Sequence, residues 1–137
     1  MLGDLLVTAP LQRGCLALSV PVGSDVQSVA DLRGLKVAGS KFVYGKAVAE
    51  AGVDPNTEID WSPAPVAADV LTTLEIGEFA AVQSPDGQGA LLEVVGLARM
   101  IAMNNMPPSK INYCCASVLN ASAVQGDRNR AAPLPVR

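Results

Sequence analysis

Apolar and polar positions run in short blocks along this chain, and glycine or proline closes almost every block. Gly14-Cys15-Leu16-Ala17-Leu18-Ser19-Val20, stopped by Pro21, has the pattern of a buried strand. In Ser28-Val29-Ala30-Asp31-Leu32-Arg33-Gly34, Ser28 caps a single helical turn. Asp31 stands three residues on, at capping-box spacing. Gly34 is placed to take the left-handed conformation that ends a helix. Leu35-Lys36-Val37-Ala38 then reads as a buried parallel strand that leaves through Gly39-Ser40.

The next helix is predicted over 42–51. Val43, Ala47 and Ala51 share a face at spacing four, with Tyr44 and Val48 beside them, and Gly52 is the stop. A strand follows at 59–62, then the stiff linker Pro63-Ala64-Pro65, with Pro65 suited to a first helical position. Val66, Val70, Leu71 and Leu74 form the stripe of a helix ending at Gly77. Another strand is read at 79–82. Ser84-Pro85-Asp86 reads as a cap followed by a proline at the first helical position, with Leu91, Leu92, Val94 and Val95 lining the helix. Strands at 99–103 and 113–119 complete the pattern. Leu5-Leu6-Val7 fits a short helix or a strand, ended by Pro10.

Four alternations of strand and helix between residues 35 and 103 predict an α/β fold with right-handed crossovers. The expected form is a three-layer lobe. It has a mainly parallel central sheet of about five to six strands, one antiparallel, with helices on both faces. No helix separates Met103 from Tyr113, so the last strand is the one expected to turn back. The expected division is residues 1–119 as a single lobe and 120–137, polar and then Pro- and Arg-bearing, as a flexible tail.

Composition sharpens this picture in a few places. A chain of 137 residues buries roughly two thirds of its unfolded surface, enough for one core without a metal or disulfide. Hydrophobic residues are 50% and charged residues 17%, and much of the excess is Ala and Val. Such side chains suit close helix–sheet packing, or an apolar face meant for a partner. The net charge of −3 argues against nucleic acid. No apolar run reaches the roughly 20 residues of a membrane span, so no membrane insertion is expected. Met1-Leu2-Gly3-Asp4-Leu5-Leu6 lacks the basic start and long apolar core of an export signal, which places the chain as written in the cytoplasm. Adjacent Cys114 and Cys115 point to opposite faces of a strand, so at most one of them faces Cys15. All three cysteines read as buried free thiols.

The chain has no histidine. That removes Ser-His-Asp and Cys-His catalysis and every zinc site with a His ligand. It has no Cys-x-x-Cys pair and no phosphate loop between strand and helix, and Gly87-Gln88-Gly89 reads as backbone tolerance. No catalytic residue, metal or cofactor is therefore expected. What remains are three strand-to-helix junctions, where free N–H groups offer anion sites. They are Gly39-Ser40-Lys41, Pro63-Ala64-Pro65 and Ser84-Pro85-Asp86-Gly87. Ser40 and Lys41 suit a sulfonate, nitrate or carboxylate. The plainer alternative makes Ser40 a cap and Lys41 a solvated charge. Tyr44 and Trp61 read as packing residues.

The segment Ser-Val-Ala-Asp-Leu-Arg-Gly-Leu-Lys-Val at 28–37 resembles the Asp-Leu-x-Gly-Lys segment of periplasmic solute-binding proteins of ABC transporters. Ala49–Pro55 is similar to their next helix end, and Leu74–Val82 to the stretch before their hinge-facing loop. Gly14-Cys15 and Tyr113-Cys114-Cys115 resemble positions in the nitrate/sulfonate/taurine-type branch. At Ala80 that family usually has Asp, and the loop at 39–42 is several residues shorter than the family's. The resemblance implies one lobe of a two-lobed receptor of the type II periplasmic-binding fold. By position it implies that Ser40, Lys41, Ala64, Pro65, Ser84 and Asp86 line this lobe's share of the cleft, and that the compartment is periplasmic.

The expected function is a stand-alone, non-catalytic lobe. Its small-anion binding is weak or vestigial, and it self-associates as a homodimer. The alternatives are a working small-anion binding dimer, or a relocated gene fragment of no selected function.

Overall fold

The computed structural model describes residues 5–65, 69–105 and 113–122. Five strands form the central sheet: β2 (Leu16–Pro21), β3 (Lys36–Ala38), β4 (Asp60–Ser62), β5 (Ala81–Pro85) and β6 (Ala98–Met103). Their order is β4-β3-β5-β2-β6. β3 runs parallel to β4 and to β5, with Val37 opposite Ala81 and Ala38 opposite Val82. β2 is antiparallel to both of its neighbours, so β6 runs with the other three. The fold is thus α/β with a mainly parallel sheet, as the alternating pattern predicts.

The antiparallel member is β2, inserted between β5 and β6, and not the final strand. β7 (Tyr113–Asn120) lies outside the central sheet and pairs antiparallel with β1 (Leu5–Arg13) in a separate two-stranded ribbon. Pro10 does not end β1, which passes through it with register shifts on either side. A ribbon strand with one unpaired edge tolerates a residue that lacks an N–H. Of the expected tail at 120–137, Asn120 is the last residue of β7, and the part after residue 122 lies outside the described residues, as does Val66 of the expected helical stripe.

Helices cover both faces of the sheet. On one face a short 3-10 helix (Val29–Leu32) and α1 (Lys41–Glu50) meet Leu18, Val20, Val37 and Ala81 in a core that includes Leu32, Tyr44 and Val48. On the other, α2 (Val70–Ile76) and α3 (Asp86–Val94) cover Ala38, Val82 and Ala98. The stripe of α1 is centred on Tyr44 and Val48, while Val43 and Ala47 flank it and Ala51 is exposed. In α3 only Gly89 and Leu92 are buried. Leu91, Val94 and Val95 point to solvent, because the i, i+3 pair takes the narrow contact with the sheet.

The capping box forms as its spacing predicts. Ala30 N–H donates to Ser28 Oγ at 3.3 Å, and Ser28 N–H donates to Asp31 Oδ2 at 2.9 Å. Backbone N–H groups from Gln27 and Ser28 hold the Asp31 carboxyl below the ordinary carboxylate range. Gly34 takes φ +75, the left-handed stop. Arg33 then pairs with Glu58 and donates to Gly52 O at 2.7 Å, which ties this turn to the loop after α1. At the amino end of β3, Lys36 pairs with Glu78 and lies 4.8 Å above the Phe79 ring.

The cysteines depart from the expectation of three buried free thiols. Cys15 is disulfide-bonded. Cys115 is free but exposed on β7. Among the described residues the ribbon contributes to neither core cluster, so a cysteine there is not buried by default.

Candidate functional site

β3 hands its chain to β4 through α1 on one face, and β5 hands its chain to β6 through α3 on the other. The connections therefore diverge between the carboxyl ends of β3 and β5. In open α/β sheets a ligand crevice opens at such a switch point. The three expected junctions all stand at this end of the sheet, since β3, β4 and β5 are parallel.

The junctions are not equivalent. After β3, Gly39 N–H donates to Ser62 O at 2.8 Å, which binds the β3 and β4 exits together. Ser40 is the N-cap of α1, yet its hydroxyl makes no capping bond and has no partner among the described residues. Its backbone N–H donates instead to Gln83 Oε1 at 3.0 Å. Gln83 is half-buried and lies across Gly39. A Cβ at Gly39 would stand 3.4 Å from Gln83 Cβ and 3.7 Å from Oε1. The periodicity of the chain does not single Gln83 out. Only the parity of β5, which turns residue 83 toward the same face as Ala81, hints at its place beside α1.

Lys41 is exposed, and its Nζ donates to Asn56 Oδ1 at 3.2 Å, in the turn that runs back beside α1. Phe42, next on the helix, is 98% exposed. Ala64 is exposed and Pro65 half-buried in the linker after β4. Trp61 packs against the core and its Nε1–H donates to Pro55 O at 2.8 Å, which supports its reading as a packing residue. Tyr44 is buried too, and its hydroxyl has no partner among the described residues.

After β5, the proline is the N-cap and Asp86 the first helical residue. Ser84 therefore does not cap α3. It is the fourth residue of β5, fully buried, and its Oγ lies beneath the helix, 3.3 Å from where a Cβ on Gly89 would stand. The strand's alternation puts Ser84 on the face of Val82, under α3. Asp86 Oδ1 accepts Gly87 N–H at 2.8 Å, so a carboxylate already sits on the amino end of α3. The Gly87-Gln88-Gly89 run is more than tolerance. A Cβ on Gly89 would approach Ala17 Cβ to 2.9 Å, so the glycine is what lets α3 lie close to β2.

Asn104, just past β6, stands at the same end of the sheet. Its Oδ1 accepts both Cys15 N–H at 2.9 Å and Leu16 N–H at 3.1 Å. Asp86 N–H donates to Cys15 O at 2.8 Å. The start of β2, the end of β6 and the start of α3 are thereby tied together at the end of the sheet where β3 and β5 exit. Among the described residues, no three or more metal-ligating side chains come together. No described helix is long and apolar enough to cross a membrane.

A mainly parallel five-stranded sheet between helical layers, with one antiparallel strand inside it, is a fold of the periplasmic-binding-protein type. Comparison with solved structures agrees. The chain is similar to the periplasmic aliphatic sulphonate binding protein SsuA from Escherichia coli, with TM-score 0.74, 19% identity, and 93% of this chain matched to 42% of that one. It is similar to the alkanesulfonate-binding protein SsuA from Xanthomonas axonopodis pv. citri bound to MOPS, with TM-score 0.69, 20% identity, and 90% matched to 43%. It is also similar to the periplasmic nitrate-binding protein NrtA from Synechocystis PCC 6803, with TM-score 0.66, 12% identity, and 93% matched to 37%. The chain thus spans about two fifths of the length of these structures. No family profile and no curated protein matches the sequence.

Proposed function

We propose that this chain is a non-catalytic, solute-binding-protein-like lobe that holds a small oxyanion weakly at the β3–β5 crevice and self-associates. The observation that carries this reading is the uncommitted Ser40 hydroxyl. It stands at the amino end of α1, on the carboxyl side of a parallel sheet. A helix start concentrates partial positive charge and free N–H groups, which favours an anion. In this reading Ser40 contacts the ligand and Lys41 attracts it from the rim. Ala64 and Pro65 form a wall. Ser84 and Asp86 shape the neighbouring junction, Ser84 from beneath α3.

Weak affinity is what one lobe taken by itself is expected to have. A single lobe supplies one wall of a cleft and leaves much of a ligand in water, whereas tight small-molecule sites bury most of the ligand surface. The named ligands of the similar structures, sulfonates and nitrate, support an oxyanion as the solute. The disulfide at Cys15 supports an oxidising compartment such as the periplasm.

Self-association is supported by the ribbon. Leu5, Leu6, Val7 and Val118 are 52%, 44%, 73% and 47% exposed on two strands that have no further sheet partner among the described residues. Isolated two-stranded ribbons are marginal in water and gain from being covered.

Thermal unfolding with nitrate, taurine, methanesulfonate and phosphate tests the binding. A ligand at 100-fold over its dissociation constant adds about 2.7 kcal/mol. No rise in Tm with any of them, up to high concentration, rejects the site. A clean monomer in sedimentation at high protein concentration rejects the self-association.

A further inference from the structure

We propose that Gln83 is a positioning residue that pins the amino end of α1 to the end of β5 and sets the ligand charge the crevice accepts. The inference rests on the crevice being a ligand site, as read above. Three observations carry it. Ser40 N–H is a donor and needs an acceptor, so the 3.0 Å contact fixes the Gln83 amide with its oxygen toward Ser40. Gly39 lies directly beneath the Gln83 side chain, where a Cβ would meet Gln83 at 3.4 Å, so the amide spans the gap between the β3 and β5 exits. With Oε1 committed, Nε2 has no hydrogen-bond partner among the described residues, and it is not among the buried atoms left without one.

The chemistry follows from the inventory of groups. A carboxamide whose oxygen is held internally offers only N–H donors outward. The Ser40 hydroxyl beside it is free to rotate and donate. The amino end of α1 adds partial positive charge. The gap between the β3 and β5 exits therefore presents donors from Gln83 and Ser40, with the Gln83 amide oxygen spent on Ser40 N–H. It suits a ligand built of acceptors, an oxyanion, and disfavours one that brings an ammonium group.

Two variants test this. Gln83→Glu keeps an acceptor for Ser40 and removes the outward donors. Gln83→Leu removes both. Calorimetry with methanesulfonate, nitrate and methylammonium is read beside amide hydrogen exchange at Ser40. The wild type is expected to take the two oxyanions and not methylammonium. Each variant is expected to weaken oxyanion binding about tenfold, the worth of one net hydrogen bond. Ser40 exchange is expected to stay slow in Gln83→Glu and to rise about tenfold in Gln83→Leu. Oxyanion binding unchanged in both variants overturns the charge-setting role. Ser40 exchange unmoved in Gln83→Leu overturns the positioning role. If the wild type binds neither oxyanion while Gln83→Leu still speeds Ser40 exchange, the ligand reading of the crevice fails and the pinning by Gln83 stands.

Discussion

Asn104 closes over Cys15. Its side-chain oxygen accepts the Cys15 N–H at 2.9 Å and the Leu16 N–H at 3.1 Å, while its own N–H donates to Leu16 O at 3.0 Å. One buried side chain thus satisfies two backbone donors at the point where the antiparallel strand enters the sheet. Asn104→Ala leaves both donors without their acceptor. The expected cost is about 1–3 kcal/mol in urea unfolding, the range for an orphaned buried polar group. Asn104→Asp keeps an acceptor and is expected to recover part of that loss.

Gly89 and Gly87 are two residues apart in α3 and are expected to respond with opposite signs. Ala at either position gains about 1 kcal/mol of helix propensity. At Gly87 the new Cβ meets nothing within 4 Å, so Gly87→Ala is expected to stabilise the protein by up to about that amount. At Gly89 the Cβ would stand 2.9 Å from Ala17 Cβ, on a strand that cannot yield. Overpacking of this kind costs about 1–3 kcal/mol. Gly89→Ala is therefore expected to lower Tm while Gly87→Ala raises it.

Gly14 stands at the junction of ribbon and sheet with φ +66, and a Cβ there would lie 2.5 Å from Asn105 Cβ. Gly14→Ala meets both a disfavoured backbone conformation and a steric overlap. Loss of stability of about 1–3 kcal/mol is expected, measured by thermal unfolding against the wild type.

Burial raises the Tyr44 hydroxyl pKa well above its ordinary value of 10.0. The folded state therefore keeps a proton that the unfolded chain releases once pH exceeds about 10. Stability from this residue is complete below that pH and falls as pH rises beyond it. Tyr44→Phe is expected to remove this alkaline loss. Near neutral pH it is expected to change stability little, because the hydroxyl has no partner to forfeit among the described residues. Unfolding midpoints between pH 8 and pH 11, with and without the substitution, give the answer.

Thiol counting checks the redox assignment. With three cysteines, a disulfide at Cys15 and a free, exposed Cys115, the native protein is expected to react with one equivalent of Ellman's reagent. After reduction in denaturant and removal of the reductant, the count is expected to be three. A native count of three contradicts the disulfide.

Much of the lobe was legible because its signals are local. The capping box at Ser28 and Asp31, the stop at Gly34 and the short apolar run before Gly39 act within a few residues of one another, and each appears in its expected place. Alternation of period 2 with period 3.6 likewise forces strands apart by crossover helices and so forces a mainly parallel sheet. The junctions at Ser40, Ala64–Pro65 and Ser84–Asp86 could be named from the chain for the same reason.

Tertiary structure alone decided the order of the strands, the face each side chain took and the state of the site. The alternating pattern is equally compatible with β2 at an edge or between β5 and β6, and long-range bonds such as those of Asn104 choose between them. Ser84 went under α3 and Gln83 toward α1 because adjacent strand residues face opposite ways, and a shift of one residue in the strand's start exchanges their roles. Gln83 meets Ser40 across 43 residues of chain. No local propensity encodes such a contact, which exists only once two strands have been laid side by side.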